Sequence, residues 1–258
     1  MEQARSELKA ASARVTESTV RTRVSAALTV ADSKRAFHGA FPHVIGPLFR
    51  RMVDELLVEL HLLSHQKGFQ QDPLFATGLV QVFDSFARGY RPEQHKERLF
   101  EALVRSSGFD PVLLRQQRDQ AVAAMGQHTV EEVKQWIAQQ GQGAPEPVAA
   151  ALASIRRPDF HYSRLMAVGL LSLLEEASGS ETTDPQVLRQ SAHEIGASMG
   201  LLRERIDKDL SLYTTNLEKM AQAVELMEET IAAERRRREP QQPEPEVSAP
   251  PQGVPSAG

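Results

Sequence analysis

The sequence predicts an all-α protein, a helical bundle followed by a long C-terminal coiled-coil helix. Three observations predict it. Asp-Pro pairs punctuate the chain, at Asp72-Pro73, Asp110-Pro111 and Asp184-Pro185. Apolar residues between such breaks recur every 3.6 residues, the period of one helix face. No stretch alternates apolar and polar residues between hairpin turns, as a half-buried strand would.

Each Asp-Pro pair is a helix start. The carboxylate accepts from the unpaired N–H groups of the first turn, and Pro occupies the first helical position, where its missing N–H costs nothing. Gly46-Pro47 and Arg91-Pro92 place Pro in the same way, and Thr129 with Glu132 three residues on fits a capping box. A helix over 47–66 carries the stripe Leu48, Met52, Leu56, Leu60, Leu63, widened by Phe49, Val53 and Leu57. Phe75, Leu79, Val82, Phe83 and Phe86 form its counterpart in 73–88. Shorter helices are expected over 93–107, 111–125, 129–140 and 145–153, and one more over 159–178. The run Leu165 to Leu174 is about half the roughly 18 apolar residues of a membrane span and reads as a buried helix.

The final helix has a different pattern. From Leu188 the apolar or small positions continue through Ala192, Ile195, Met199, Leu202, Ile206, Leu210, Tyr213, Leu217, Met220, Val224, Met227 and Ile231. The spacing alternates four and three, with one extra four after Ile206. That is a heptad seam with a single stutter. At 1.5 Å per residue the segment 188–231 would run about 65 Å, too long for a domain of this size to cover, so part of it should project. Arg235–Arg238 suit the negative end of the helix dipole. Six prolines among residues 239–258 prevent further helix. The expected organisation is a flexible tail over 1–28, a bundle over 29–183, the long helix over 184–238 and a Pro-rich disordered tail over 239–258.

Composition excludes several chemistries. The 258 residues contain no cysteine, which removes disulfides, thiolate catalysis and cysteine-held metal sites. The net charge of −4 gives no general attraction to nucleic acid, and no specific nucleic-acid partner is expected. Residues 1–28 hold five Lys or Arg, but Glu2, Glu7 and Glu17 argue against a transit peptide. Gly196-Ala197-Ser198-Met199-Gly200 matches the nucleophile elbow. That motif needs a strand-to-helix turn, whereas Met199 lies on the heptad seam, so close helix packing is the preferred reading over a catalytic Ser198. His61 and His65 have metal-clamping spacing without an evident third ligand, and a histidine pair on a helix is preferred. Asp54-Glu55 and Glu175-Glu176 read as solvated helix faces. No catalytic residue, cofactor or metal is therefore expected.

The stretch Val30-Ala31-Asp32-Ser33-Lys34-Arg35-Ala36-Phe37, with Pro42 and Pro47, resembles the opening signature of the Thylakoid Formation family. Phe49-Arg50-Arg51-Met52-Val53-Asp54-Glu55-Leu56-Leu57-Val58-Glu59-Leu60-His61-Leu62-Leu63-Ser64 continues it. Phe69, Asp72-Pro73, Phe83-Asp84 and Gly89-Tyr90 follow in order, and then Tyr162-Ser163-Arg164-Leu165 and Gly169-Leu170. The resemblance covers residues 30–235. His38 and Phe41 depart from it. It implies a helical bundle with a long final helix and a non-enzymatic factor of photosystem II biogenesis and repair. It also implies a location peripheral to the thylakoid membrane on its cytoplasmic or stromal side, beside a soluble cytoplasmic pool, and support of the FtsH protease complex. Within that expectation Lys34, Arg35, Arg50 and Arg51 are candidates for a basic docking surface. Leu202, Ile206, Leu210, Tyr213, Leu217, Met220 and Val224 are candidates for an apolar docking stripe, with self-association through the same helix as a further expectation. The competing reading is a peripheral membrane-organising protein that meets anionic lipid through Arg235–Arg238.

Overall fold

Asp72 and Asp110 begin their helices as the sequence requires. In the computed structural model the Asp72 carboxylate accepts from the Phe75 N–H at 2.8 Å, and that of Asp110 from the Val112 N–H at 2.9 Å. Thr129 and Glu132 form the expected reciprocal box. Thr29 and Asp32 form a second one at the start of the chain's first described helix. The structure describes residues 28–126, 128–155, 157–177, 179, 190, 193, 194 and 203–238. Leu202, the Ser198 motif, the Asp184-Pro185 pair, the seam from Leu188 to Met199 and both tails lie outside the described residues.

Among the described residues there are nine α-helices and no strand. They are α1 Val30–Ala40, α2 Pro47–Ser64, α3 Pro73–Phe86, α4 Lys96–Ser106, α5 Pro111–Met125, α6 Val130–Ala138, α7 Glu146–Ser154, α8 Arg164–Ala177 and α9 Arg203–Arg238. The helix expected over 93–107 opens as a 3-10 turn, Glu93–His95, with Pro92 as its cap. The one expected over 159–178 starts five residues late. Its cap is Ser163, whose Oγ accepts from the Met166 N–H at 3.2 Å, and Asp159 is occupied instead by the Arg157 guanidinium.

The core is built around α3 and α8. Both are apolar on nearly every face, with Leu74–Val80, Val82 and Phe83 buried in one and Leu165–Leu171, Leu173 and Leu174 in the other. Gly78 and Gly169 let their backbones meet. A Cβ on Gly78 would lie 1.7 Å from the Leu165 carbonyl oxygen, and one on Gly169 would lie 2.0 Å from that of Leu74. Around this pair, α5 packs on α3 and α8, α6 on α8, and α7 on α3, while α1, α2 and α4 pack on one another. α9 lies across α8 and α3.

Candidate interaction surface

The segments that carry the family resemblance are far apart in sequence and meet on one face. Ser33 of α1 and His61 of α2 are both buried, and the Ser33 Oγ lies 2.9 Å from the His61 Nδ1. Burial, with His65 next to it, pushes the His61 pKa down, so the ring is neutral at physiological pH. Lys34 of α1 reaches Asp54 of α2 at 3.5 Å. Arg164, the first residue of α8, donates from Nε and Nη2 to the Glu59 carboxylate of α2 at 2.9 and 2.7 Å. Burial works against the Arg164 charge, and the Glu59 carboxylate more than offsets it. Just before α8, the Tyr162 hydroxyl donates to Asp209 of α9 at 2.8 Å, and burial together with that carboxylate raises the tyrosine pKa. The residues 162–164 thus tie α8 to α2 on one side and to α9 on the other. A shallow depression beside these bonds is lined by Lys34, Asp54, Val58, Leu62 and Tyr162. Leu62 is 59% exposed there.

On the other side of α2 a groove of 450 Å³ separates it from α9. Its floor is Val82 and Phe86 of α3 with Leu165 and Val168 of α8, and its walls carry Leu48, Met52, Leu212 and Met220. Arg51, Glu55, Arg164, Asp209 and Lys219 form its charged rim. The two wall helices run antiparallel. Early α2 and late α9 both meet the turn after α3, where the Phe49 and Tyr90 rings are 5.1 Å apart and Gly89, at φ 76°, makes room for Val224. Late α2 and early α9 meet at residues 162–164 through Glu59 and Asp209.

Three of the four cations expected to form a basic docking surface are ion-paired. Lys34 is paired with Asp54, Arg35 with Asp32 at 2.7 Å and Arg51 with Glu55 at 2.8 Å, leaving Arg50 as an exposed helix-surface charge. Acids three and four residues away in the same helix, or across a helix crossing, neutralise the surface. The seam of α9 also differs from the expectation of a free docking stripe. Ile206, Leu210, Tyr213, Met220 and Val224 are buried and Leu217 is packed against the same core, so the chain's own α3 and α8 cover this stripe. Beyond Val224, Met227 still packs on the core and Glu228 reaches Arg91, and from Glu229 to Arg238 the helix is exposed. Sequence reasoning missed the groove and the Tyr162–Asp209 link. The first left a faint signal, a second stripe at Leu212, Asn216, Lys219, Ala223 and Leu226 whose mixed polarity hides its heptad spacing.

The His61 and His65 rings are tilted against each other with centroids 4.4 Å apart, and the His65 Nδ1 lies 2.9 Å from the His61 carbonyl oxygen. Among the described residues no three His, Asp or Glu side chains are grouped to hold a metal. No described helix is long and apolar enough to cross a membrane.

Residues 29–242 match the family model described as thylakoid formation protein. The chain is 60% identical over 212 residues to Protein Thf1 of Prochlorococcus marinus (strain MIT 9313), covering 82% of this chain and 87% of that one. It is 44% identical over 216 residues to Protein Thf1 of Synechococcus elongatus, covering 81% and 84%. A solved structure of Psb29 superposes with a TM-score of 0.69 at 36% identity, spanning 82% of this chain and 98% of the other. A family match over most of the length, relatives of high identity and a fold that superposes on a solved relative lead to one conclusion: the chain belongs to the thylakoid formation protein family.

Proposed function

We propose that this protein is a non-enzymatic factor of photosystem II biogenesis and repair that binds and stabilises the FtsH protease complex at the thylakoid membrane. The observation that carries the reading is the convergence of the signature segments 30–37, 49–64 and 162–165 on one exposed face, bonded into a fixed arrangement around Leu62. Residues far apart in sequence are held in register there by a bidentate ion pair and buried hydrogen bonds, which preorganises a surface for a protein partner. The protein would work peripherally on the cytoplasmic or, in a plastid, stromal side, exchanging with a soluble pool.

Affinity purification from solubilised thylakoids tests this. The wild-type chain should co-purify FtsH subunits, and Leu62→Asp, at an exposed position, should lose them without unfolding. Recovery of no FtsH, with unchanged FtsH abundance in a deletion strain, would remove the reading. The membrane-organising alternative draws on the exposed arginines 235–238. Over 225–238, however, Glu225, Glu228, Glu229 and Glu234 offset them, so the helix end has no net attraction for anionic lipid. Flotation with anionic liposomes that depends on residues 235–258 would reverse this preference.

A further inference from the structure

α9 has two stripes and the bundle uses one. The second, Leu212, Asn216, Lys219, Ala223, Leu226 and Thr230, recurs four and three residues apart and so lies along one face of the helix. Its first four members line the groove. Leu226 and Thr230 continue it onto the part of α9 beyond Val224, the last buried position. Leu212 is 48% exposed and Leu226 65%.

The groove's charges are ordered along its length. On the α2 wall Arg51 and Glu55 are bonded to each other, and Arg164 is bonded to Glu59, which leaves Lys219 of α9 toward the end where early α2 meets late α9 and Asp209 of α9, bonded to the Tyr162 hydroxyl, toward the other. The α9 wall therefore calls for an occupant with an acid at one end and a base at the other. The distal part of α9 is such a segment. Glu225, Glu228 and Glu229 precede Arg235–Arg238, with Leu226 and Ile231 between, and all are exposed. Lys219 and Asp209 are ten residues apart, about 15 Å, and Glu229 and Arg238 are nine apart, about 14 Å. Among the described residues neither Lys219 nor Glu229 has an ion-pair partner, while Glu228 lies 3.8 Å from Arg91.

We infer that the groove is filled by α9 of a second copy of this chain, running antiparallel, in a reciprocal dimer independent of any protease contact. In the register that matches the stripe to itself, Ala223 faces the partner's Leu226, a small residue against a large one on both sides of the two-fold axis. Lys219 faces the partner's Thr230 with the partner's Glu229 alongside. Asn216 faces the partner's Ala233, and Leu212 packs against the stem of the partner's Arg237. The same register sets the partner's Arg235–Arg238 opposite residues 211–214, with the partner's Arg238 nearest Asp209. From Ser211 to Arg238 the overlap is about 40 Å of helix on each copy, enough to approach the roughly 1,000 Å² of a specific interface. Its apolar content is small, so the association should be concentration-dependent and weakened by salt.

Sedimentation equilibrium of the full chain, at low and high salt, is the test. The wild type should be a reversible dimer that dissociates at least fivefold more readily at high salt. Leu226→Asp should weaken it tenfold or more with an unchanged melting temperature. Lys219→Glu and Glu229→Lys should each weaken it several-fold, and together restore it to within about threefold of wild type. The absence of cysteine allows clean spin labelling. Labels at Ser211→Cys should sit about 40 Å apart in the dimer and labels at Gln222→Cys within about 20 Å, because the helices are antiparallel about residues 224–225. A chain monomeric at all concentrations, a dimer indifferent to Leu226→Asp, a double reversal that fails to restore, or equal label separations at both positions would each overturn the assignment.

Discussion

Replacing Gly169 by Ala should strongly destabilise the protein, against the trend for a glycine in a helix. Intrinsic propensity alone favours Ala in a helix interior by about 1 kcal/mol. At this position the new Cβ would stand 2.0 Å from the Leu74 carbonyl oxygen and 2.9 Å from its carbon, both backbone atoms that no rotamer change can move. Ordinary contact needs about 3.4 Å or more, so α3 and α8 must part by roughly 1.5 Å at their crossing, loosening the contacts of the most buried helices in the chain. Overpacking costs about 1–3 kcal/mol where side chains absorb it, and here they cannot. A net loss of about 2–4 kcal/mol is expected, equivalent to roughly 5–15 °C in Tm for a chain of this size. Urea unfolding of Gly169→Ala and Gly78→Ala should show lowered midpoints at unchanged slope. Gly39→Ala in α1, where nothing lies within 4 Å of the added carbon, should hold or raise the midpoint. A Gly169→Ala protein as stable as wild type would refute the claim that backbone proximity at this crossing limits the fold.

Two further substitutions probe the polar framework. Arg164→Met leaves the Glu59 carboxylate, whose side chain is only 18% exposed, without its bidentate partner, and should cost about 2 kcal/mol in urea unfolding. Adding Glu59→Leu should recover most of that loss. Burial raises the Glu175 carboxyl to about 7, above its ordinary value of 4.5. Between those values the folded protein keeps a proton that the unfolded chain releases, so this group makes stability fall as pH rises through that window. Glu175→Gln should flatten the dependence and be more stable than wild type at pH 8 by about 2 kcal/mol, measured as urea midpoints across pH.

Most helix starts were legible because they depend on neighbours in sequence. Asp72, Asp110 and Thr129 cap through atoms two or three residues away, and the sequence contains the whole interaction. The start of α8 was misjudged because Asp159 and Ser163 are both plausible caps, and the choice between them is made elsewhere. Tyr162 must reach Asp209, which keeps 159–163 out of the helix. The surface was less legible for the same reason. The Arg35–Asp32 and Arg51–Glu55 pairs follow from spacing along one helix, whereas Lys34–Asp54 needs the crossing of α1 and α2. The heptad seam of α9 was visible as a periodicity, but a periodicity does not say what covers it. That α3 and α8 lie beneath Ile206 and Leu210 is a property of the assembled bundle.

The pairing of α3 with α8 also governs how the chain emerges from the ribosome. The two helices that need each other most are separated by the 77 residues between Phe86 and Arg164. A nascent chain that has completed α3 carries a helix apolar on almost every side while its main cover has yet to be made. During synthesis at about 5–20 residues per second, that surface waits several seconds for its counterpart. Over that interval the partly made chain is a substrate for chaperones and prone to aggregate. Slowing translation between residues 87 and 163 should therefore lower the yield of folded protein more than slowing it after residue 177.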